Sequence, residues 1–203
     1  MTEKEVLKIF KSEKALLSGH FLLSSGLHSP NYMQCALLLQ KPWIAERLCK
    51  GLAKKIKKVR ARLIAPLRKI DVVIGPALGG VIVSYELGRA LKVRAIFAER
   101  AEGAFTLRRG FSIKKGEKVL VVEDVVTTGK STNEVIEVVR QLEGKVAGVA
   151  SIVDRSDLLP PFQVPFYSLL KVHIKTYKPE ECPLCKEGKI ALTKPGSRGL
   201  KSV

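Results

Sequence analysis

The segment from Val119 to Thr132 constrains the fold of this chain more than any other stretch. It reads Val-Leu-Val-Val-Glu-Asp-Val-Val-Thr-Thr-Gly-Lys-Ser-Thr. The four apolar residues 119–122 predict a strand that is buried on both faces, as in a parallel sheet covered by helices. Glu123 and Asp124 follow at its carboxyl end, and the Thr/Gly/Ser turn behind them predicts the start of a helix. This order of elements indicates a phosphate-binding turn with an acidic pair beside it.

Apolar runs alternate with helical patterns along the rest of the chain. The runs begin at Val72, Val93 and Val146, and the spacing predicts helices over 80–91 and 131–142. Such alternation predicts an α/β fold in which helices flank a central, mostly parallel sheet.

The N-terminal region adds two helix signals. Thr2 and Glu5 predict a capping box for a first helix, and Pro42 suits the first turn of a second. A length of 203 residues predicts one domain over residues 1–203, with an irregular tail from about residue 177.

Composition narrows the class of protein. No apolar run reaches the ~18 residues of a membrane span, and the charged N-terminus is unlike a signal peptide, so we expect a cytoplasmic protein. Lys and Arg number 36 against 19 acidic residues, a net charge of +17. This excess suits a nucleic-acid surface or an enzyme that attracts polyanionic substrates. Much of it lies in residues 50–69, where the helical spacing favours a solvated helix face.

The four cysteines are too few and too uneven in spacing for a disulfide framework. Cys182 and Cys185 form a Cys-Pro-Leu-Cys pair that suits half a zinc site or a redox pair. The nearby histidine is His173, so a complete zinc site would need residues distant in sequence or a second subunit. The spacing favours a plain or occasionally oxidised thiol pair, and both interpretations stay open.

The turn after the acidic pair matches part of a nucleotide P-loop. Gly129-Lys130-Ser131 fits the end of that motif, but Asp124 stands where the motif has its first glycine. A carboxylate there would repel a bound triphosphate. A ligand with one phosphate beside hydroxyls, such as a phosphorylated ribose, fits better. An ordinary strand-turn-helix with an acidic end is the alternative.

A second glycine-rich turn follows the strand at Val72. Residues 75–80 read Gly-Pro-Ala-Leu-Gly-Gly and open a helix, so their backbone could approach another phosphate group. A tight structural turn explains this loop nearly as well.

Together these two segments resemble the type I phosphoribosyltransferases. In that family the two carboxylates face the ribose 2- and 3-hydroxyls of phosphoribosyl pyrophosphate (PRPP), and the turn holds the 5-phosphate. The resemblance implies the type I phosphoribosyltransferase fold with a small hood over residues 1–40, a homodimer, and Mg²⁺ held mainly through PRPP without direct protein ligands. The implied PRPP-binding residues are Glu123, Asp124, Val125, Val126, Thr127, Thr128, Gly129, Lys130, Ser131, Thr132, Ala77, Leu78, Gly79, Gly80 and Arg100.

Two further segments resemble the orotate phosphoribosyltransferases. Residues 19–32 resemble the hood that closes over the pyrimidine, where Tyr32 offers a stacking face. Residues 151–156 place Arg155 at a strand end, where its guanidinium suits a planar carboxylate. A surface Arg paired with Asp154 or Asp157 is the alternative. The implied orotate-binding residues are Thr127, Arg155, Ser25, Gly26 and Tyr32.

The segment after Phe97-Ala-Glu-Arg100 departs from the pattern of one large branch of the family. That branch has a Lys at the position of Ser24, and a longer mobile loop with two Lys and a His, whereas loop 101–110 here has neither residue type. Arg108 and Arg109 are the candidates for the missing cations, or they solvate the strand near Phe111. The predicted catalytic residues are Asp124, Glu123, Arg100, Arg108 and Arg109.

The resemblance implies transfer of ribose 5-phosphate from PRPP to N1 of orotate, which gives orotidine 5-phosphate and pyrophosphate in de novo pyrimidine (UMP) synthesis. We expect orotate and PRPP as small-molecule partners, and neither a membrane nor a nucleic acid. Two alternatives remain: a phosphoribosyltransferase for a purine or uracil, and a non-catalytic, ligand-sensing regulator of the same fold that binds nucleic acid.

Overall fold

The computed structural model describes residues 1–23, 25–62, 69–156 and 162–195. Its helices and strands follow the predicted alternation after an N-terminal region of its own. The helices are α1 (Glu3–Ser12), α2 (Ala36–Leu39), α3 (Pro42–Arg62), α4 (Gly79–Leu91), α5 (Lys130–Gln141) and α6 (Pro183–Glu187). The strands are β1 (Leu16–Leu22), β2 (His28–Met33), β3 (Val72–Pro76), β4 (Arg94–Ala101), β5 (Ala104–Thr106), β6 (Lys118–Val126), β7 (Lys145–Asp154) and β8 (Phe166–Lys171).

The main sheet has six strands in the order β5-β4-β3-β6-β7-β8. Its neighbouring strands run parallel except for β5, which pairs antiparallel with β4. The predicted central, mostly parallel sheet is therefore confirmed.

Both faces of this sheet are covered, which explains the continuous apolar run in β6. Leu120 and Val122 pack into a core with α1 to α4, whereas Val119 and Val121 pack into a second core with α5. All four are fully buried, because successive side chains of a strand point to opposite faces.

The structure extends β6 beyond the predicted run. β6 pairs with β7 as far as Val126, opposite Asp154, so Glu123 and Asp124 lie inside the last part of the strand and not after it. The helix that follows begins at Lys130, one residue before the predicted start. The strands β5 and β8 were not predicted.

The N-terminal region forms a separate two-stranded sheet in which β1 and β2 pair antiparallel. We call these two strands and their connecting turn the hood hairpin. The predicted capping box is confirmed at α1, where the Glu5 amide donates to Thr2 Oγ1 at 3.3 Å and the Thr2 amide donates to Glu5 Oε2 at 2.7 Å.

The predicted solvated helix face is confirmed where the structure describes it. On α3, Leu52 and Ile56 are buried while Lys54, Lys55 and Lys57 are exposed. Residues 63–68 of the same basic segment lie outside the described residues. The single-domain prediction for residues 1–203 stays a prediction.

Within the described ranges, none of the helices combines the length and the apolar character that crossing a lipid bilayer requires.

The central position of β6 makes it a test of the fold. We expect Leu120→Ala to lower the free energy of unfolding by about 2–5 kcal/mol, because a fully buried leucine leaves a cavity when it is truncated. Leu142→Ala, at a site that is 40% exposed, should change it by no more than about 0.5 kcal/mol. Urea unfolding of both variants measures the difference, and equal effects would contradict the assignment of β6 to the core.

Candidate active site

The parallel register of β3 and β6 brings the two predicted phosphate segments to one edge of the sheet. Val72 lies opposite Val119 and Ile74 opposite Val121, so both strands deliver their carboxyl ends side by side. The glycine loop, residues 75–80, comprises the end of β3, the turn after it and the start of α4 at this edge. We call residues 123–132 of β6 and α5 the ribose-phosphate segment.

The glycine loop touches the acidic pair directly. A Cβ atom built on Gly79 would lie 2.8 Å from Asp124 Oδ1, closer than real Cβ atoms approach an oxygen. Only a glycine therefore allows the loop backbone to lie against this carboxylate. The structure brings together two segments that are far apart in sequence.

The glycine loop is also tightly folded on itself. A Cβ atom on Gly75 would lie 2.4 Å from the Gly80 carbonyl oxygen, and the Ala77 amide donates to the Ala98 carbonyl at 2.8 Å. The peptide bond between Ala77 and Leu78 is cis. The tight structural turn that the sequence offered is thus present, and the phosphate-binding role of the loop stays a prediction.

The carboxylates of Glu123 and Asp124 lie in a crowded environment. Burial raises the pKa of Glu123 well above its usual value, and the neighbouring Asp124 charge raises it further. Burial also raises the pKa of Asp124, against the effect of the Val125 amide, which donates to Asp124 Oδ1 at 2.8 Å. Such a pair favours a bound cation or hydrogen-bond donors that would offset its charge.

The start of α5 is shaped for an anion. Gly129 is the N-cap residue, adopts φ 72°, and provides no side chain to accept from the first-turn amides. Its carbonyl accepts the first helical hydrogen bond from the Asn133 amide at 2.8 Å. The amides of the first turn therefore face the loop, where helix N-termini hold phosphate groups.

The side chains of this turn differ in exposure. Thr127, Thr128 and Lys130 are exposed and Ser131 is half-buried, so their polar groups border the site. Thr132 is only 1% exposed and Val126 is buried as well. A ligand contact at these two positions would have to use the backbone.

The hood hairpin contributes Tyr32. Its ring lies 5.8 Å from the Phe21 ring, centroid to centroid. Burial raises the pKa of the Tyr32 hydroxyl, Asp124 raises it further, and Arg155 opposes the shift. Tyr32, Asp124 and Arg155 therefore lie within electrostatic range of one another, although they come from three distant segments.

The other two predicted hood residues lie in the turn of the hairpin. Ser25 and Gly26 are exposed between β1 and β2, and Gly26 adopts φ 82° with its amide donating to the Leu23 carbonyl at 3.0 Å. Ser24 lies outside the described residues.

Arg155 directly follows β7 at the same edge of the sheet. Its amide donates to the Val126 carbonyl at 2.8 Å, which fixes its backbone beside the ribose-phosphate segment. Asp154, one of the two alternative partners of Arg155, accepts from the Ser156 amide at 2.9 Å and lies 3.6 Å from Lys171. Asp157, the other, lies outside the described residues.

The predicted loop after Arg100 is largely a β-hairpin. The antiparallel pairing of β4 with β5 sets Arg100 opposite Phe105, and the guanidinium lies 4.2 Å from the centre of that ring. It also donates to the Gly103 carbonyl at 2.6 Å and pairs with Glu134 on α5. In this structure Arg100 is held toward α5.

The two candidate loop cations differ in their surroundings. Arg109 donates from Nε and from a terminal nitrogen to the two oxygens of Glu99, each at 2.8 Å. Arg108 is exposed in the turn that its carbonyl closes by accepting from the Phe111 amide at 3.0 Å. Arg109 thus holds the turn onto β4, whereas Arg108 forms no ion pair with another described residue.

The carboxylates that bind these arginines were missed by the sequence analysis. Glu134 lies 34 residues from Arg100, and Glu99 lies 10 residues from Arg109. No local spacing signals either pair, because each depends on how two separate elements pack.

Comparisons with known proteins agree with this geometry. The model of the phosphoribosyl transferase domain family matches residues 45–182. An orotate phosphoribosyltransferase from Carboxydothermus hydrogenoformans is 57% identical over 196 residues, which cover 96% of this chain and 97% of the relative. One from Caldanaerobacter subterraneus subsp. tengcongensis is 56% identical over 200 residues, 98% of this chain and 100% of the relative.

A solved structure extends the comparison to the fold. The crystal structure of orotate phosphoribosyltransferase from Aeropyrum pernix superimposes with a TM-score of 0.63 at 26% identity, over 82% of this chain and 93% of that one. The predicted type I phosphoribosyltransferase fold is confirmed. Because the matches to sequence relatives cover nearly the whole chain at more than half identity, the chain belongs to the orotate phosphoribosyltransferase family.

Proposed function

We propose that this protein transfers ribose 5-phosphate from PRPP to N1 of orotate and releases pyrophosphate. The observation that carries the proposal is the contact between the glycine loop and Asp124 beside the start of α5. It sets a backbone turn, an acidic pair and a helix N-terminus around one space. Those are the groups that a diphosphate, ribose hydroxyls and a 5-phosphate require.

The donor would lie along this edge of the sheet. The 5-phosphate accepts from the first-turn amides of α5 and from the exposed hydroxyls of Thr127 and Thr128. The ribose 2- and 3-hydroxyls donate to Asp124 and Glu123. As the C1–O bond to pyrophosphate breaks, positive charge develops on the ribose, and the two carboxylates stabilise it.

Magnesium fits the chemistry of this site. The side chains that border the ribose position offer oxygen ligands, and burial raises the pKa of both Glu123 and Asp124 by disfavouring their charged forms, a cost that a nearby cation would offset. The ion would be held mainly through PRPP, and when bound it offsets the charge of the departing pyrophosphate.

The acceptor would lie between the hood hairpin and Arg155. Tyr32 supplies an aromatic face, the turn at Ser25 and Gly26 supplies donors, and the Arg155 guanidinium suits the orotate carboxylate. Orotate N1 then forms the bond to C1 without a side-chain nucleophile, and closure of loop 101–110 excludes water from the cationic sugar.

The leaving group needs positive charge that reaches the glycine loop. We propose Arg100 and Arg108 for this role, and we assign Arg109 to the support of the turn through Glu99. Arg100 would have to exchange its contact with Glu134 for the pyrophosphate when PRPP binds.

We also propose a homodimer. Ile82 and Tyr85 on α4 and Leu78, the residue that precedes this helix, are exposed apolar or aromatic side chains, and Trp43 is exposed on the neighbouring α3. An exposed apolar surface of this kind suits contact with a second copy of the chain.

A cytoplasmic location stays a prediction from the sequence. Neither alternative function gains support from the comparisons, since the relatives described are named orotate phosphoribosyltransferases.

The activity is tested directly by following orotate absorbance with PRPP and magnesium. We expect orotate to be consumed only when both are present, and we expect Asp124→Asn to lower turnover on the order of one hundredfold, because one electrostatic stabiliser of the cationic sugar is lost. Turnover of uracil or adenine in place of orotate, or a variant as active as the parent, would contradict the proposal.

The stability of Asp124→Asn provides a control for misfolding. Because the pKa of Asp124 is raised in the folded state, its favourable contribution is present at low pH and is lost as the pH rises above about 4. The variant should therefore equal or exceed the parent in thermal stability at pH 8, and lose that advantage toward pH 4.

Arg155 should act on the acceptor. We expect Arg155→Ala to raise the KM for orotate about tenfold or more, since a hydrogen bond to a charged group contributes about 1.5–3 kcal/mol, and to leave the KM for PRPP nearly unchanged. Arg140→Ala, at an exposed position on α5 whose partner is Glu137, is the matched control. Equal changes for both substrates would argue against this role.

The different contacts of Arg108 and Arg109 predict different effects of their substitution on turnover. We expect Arg108→Ala to lower kcat at saturating substrates by about tenfold, because a guanidinium brought onto the leaving group acts mainly in the transition state. Arg109→Ala should have a smaller effect on kcat. If both single variants and the double variant turn over like the parent, the cation for pyrophosphate comes from elsewhere.

A further inference from the structure

The hood hairpin and the C-terminal segment, residues 177–195, meet in a cluster of four side chains. His20 lies on β1 and His28 begins β2, while Cys182 and Cys185 lie at the start of α6 and within it. One ligand-capable atom of each residue lies within 4.8 Å of those of the other three. The distant partners that a zinc site at the cysteine pair would need are thus present, and they are not His173.

The distances between these ligand atoms match the edges of a tetrahedral zinc site. His20 Nε2 lies 3.1 Å from His28 Nδ1, 3.5 Å from Cys182 Sγ and 3.6 Å from Cys185 Sγ, and Cys185 Sγ lies 3.2 Å from His28 Nδ1. In a tetrahedral site, zinc bonds of about 2.0 Å to nitrogen and about 2.3 Å to sulfur set two nitrogen ligands about 3.3 Å apart. They set a nitrogen and a sulfur ligand about 3.5 Å apart.

Hydrogen bonding alone does not account for these contacts. His20 Nδ1 lies 3.1 Å from the Ile190 carbonyl, which can only accept, so this nitrogen carries the proton. In a neutral ring, Nε2 of His20 then has a single lone pair, yet three polar atoms lie within 3.6 Å of it. One shared cation satisfies all of these atoms at once.

The Ile190 contact is also the arrangement that metal-bound histidines adopt. A backbone carbonyl that accepts from the far ring nitrogen fixes the tautomer and orients the ligand nitrogen toward the metal. His20, His28 and Cys182 are buried and Cys185 is exposed, so the cluster sits just below the surface.

The C-terminal segment has little else to hold it in place. From residue 178 to residue 195, Cys182 is the only buried residue. The segment nevertheless pairs with the hood hairpin at two points, where His28 and Tyr177 exchange hydrogen bonds of 2.8 and 2.9 Å and where the Leu22 amide donates to the Thr193 carbonyl at 2.8 Å. Both points flank the cluster, so a metal ion would supply the stabilisation that a core supplies elsewhere.

We propose that His20, His28, Cys182 and Cys185 bind one structural Zn²⁺ ion, which fastens the C-terminal segment to the hood hairpin. Two imidazoles and two thiolates form a closed tetrahedral set, and neutral nitrogen with soft sulfur favours zinc over magnesium or calcium. The site is separate from the proposed magnesium, which depends on PRPP and on oxygen donors.

The test is the metal content of the full-length protein, purified without a histidine tag and without chelators. We expect elemental mass spectrometry to find one zinc ion per chain. Cys185→Ser and His28→Asn should lose the zinc, while Cys49→Ser and His173→Asn should keep it. The chain offers these matched controls because Cys49 and His173 lie outside the cluster.

Two outcomes would overturn the proposal. One is a parent protein that neither contains zinc nor takes it up from a chromophoric zinc–chelator complex. The other is a disulfide between Cys182 and Cys185, seen as two titratable thiols in the denatured, unreduced protein in place of four.

A second measurement covers variants that fail to fold. Co²⁺ added to the zinc-free parent should give the visible absorption of a tetrahedral site with sulfur ligands. Zinc removal from the parent should speed hydrogen exchange of the Leu22, Tyr177 and Thr193 amides and leave the β6 amides protected. Unchanged exchange at the three amides would show that no metal holds this segment. None of these measurements depends on orotate turnover, so they test the zinc site independently of the proposed activity.

Discussion

The parallel pairing of β3, β6 and β7 is the constraint on which the candidate active site depends. Because the three strands run in one direction and in register, the glycine loop, the acidic pair and Arg155 are delivered to the same edge of the sheet. The contact between the glycine loop and Asp124 follows from this pairing, which burial of the apolar runs between α4 on one face and α5 on the other stabilises. The hood hairpin contributes Tyr32 separately.

The acidic pair shows how function opposes stability at this edge. Two adjacent carboxylates with raised pKa values are an unfavourable choice for a strand end that serves packing alone. Their cost is offset when a ligand supplies hydroxyl donors and a cation, which ties the electrostatics of this edge of the sheet to the ligand it would accept. Gly79 belongs to the same arrangement, because any larger residue would displace the Asp124 carboxylate.

The features of the fold that the sequence predicted correctly are those that depend on neighbouring residues. The apolar run of β6, the capping box at α1 and the glycine turns each depend on residues within a short window, and the structure has them. The strand β5, the pairing of Arg100 with Glu134 and that of Arg109 with Glu99 depend on the packing of separate elements. β8 was missed although Pro165 directly precedes it, because Phe166–Lys171 lacks strict alternation of apolar and polar residues and becomes a strand beside β7.

The histidine–cysteine cluster joins residues that lie far apart in the sequence, so the spacing of the two cysteines alone does not reveal its full ligand set. His20 and Cys182 are 162 residues apart, yet the hood hairpin and the C-terminal segment lie side by side through backbone pairing at His28 and Thr193. The two histidines also bracket the hairpin turn that carries Ser25 and Gly26. An ion bound between them would fix both ends of that turn. The cluster would thus connect the stability of the C-terminal segment to the geometry of the proposed orotate pocket.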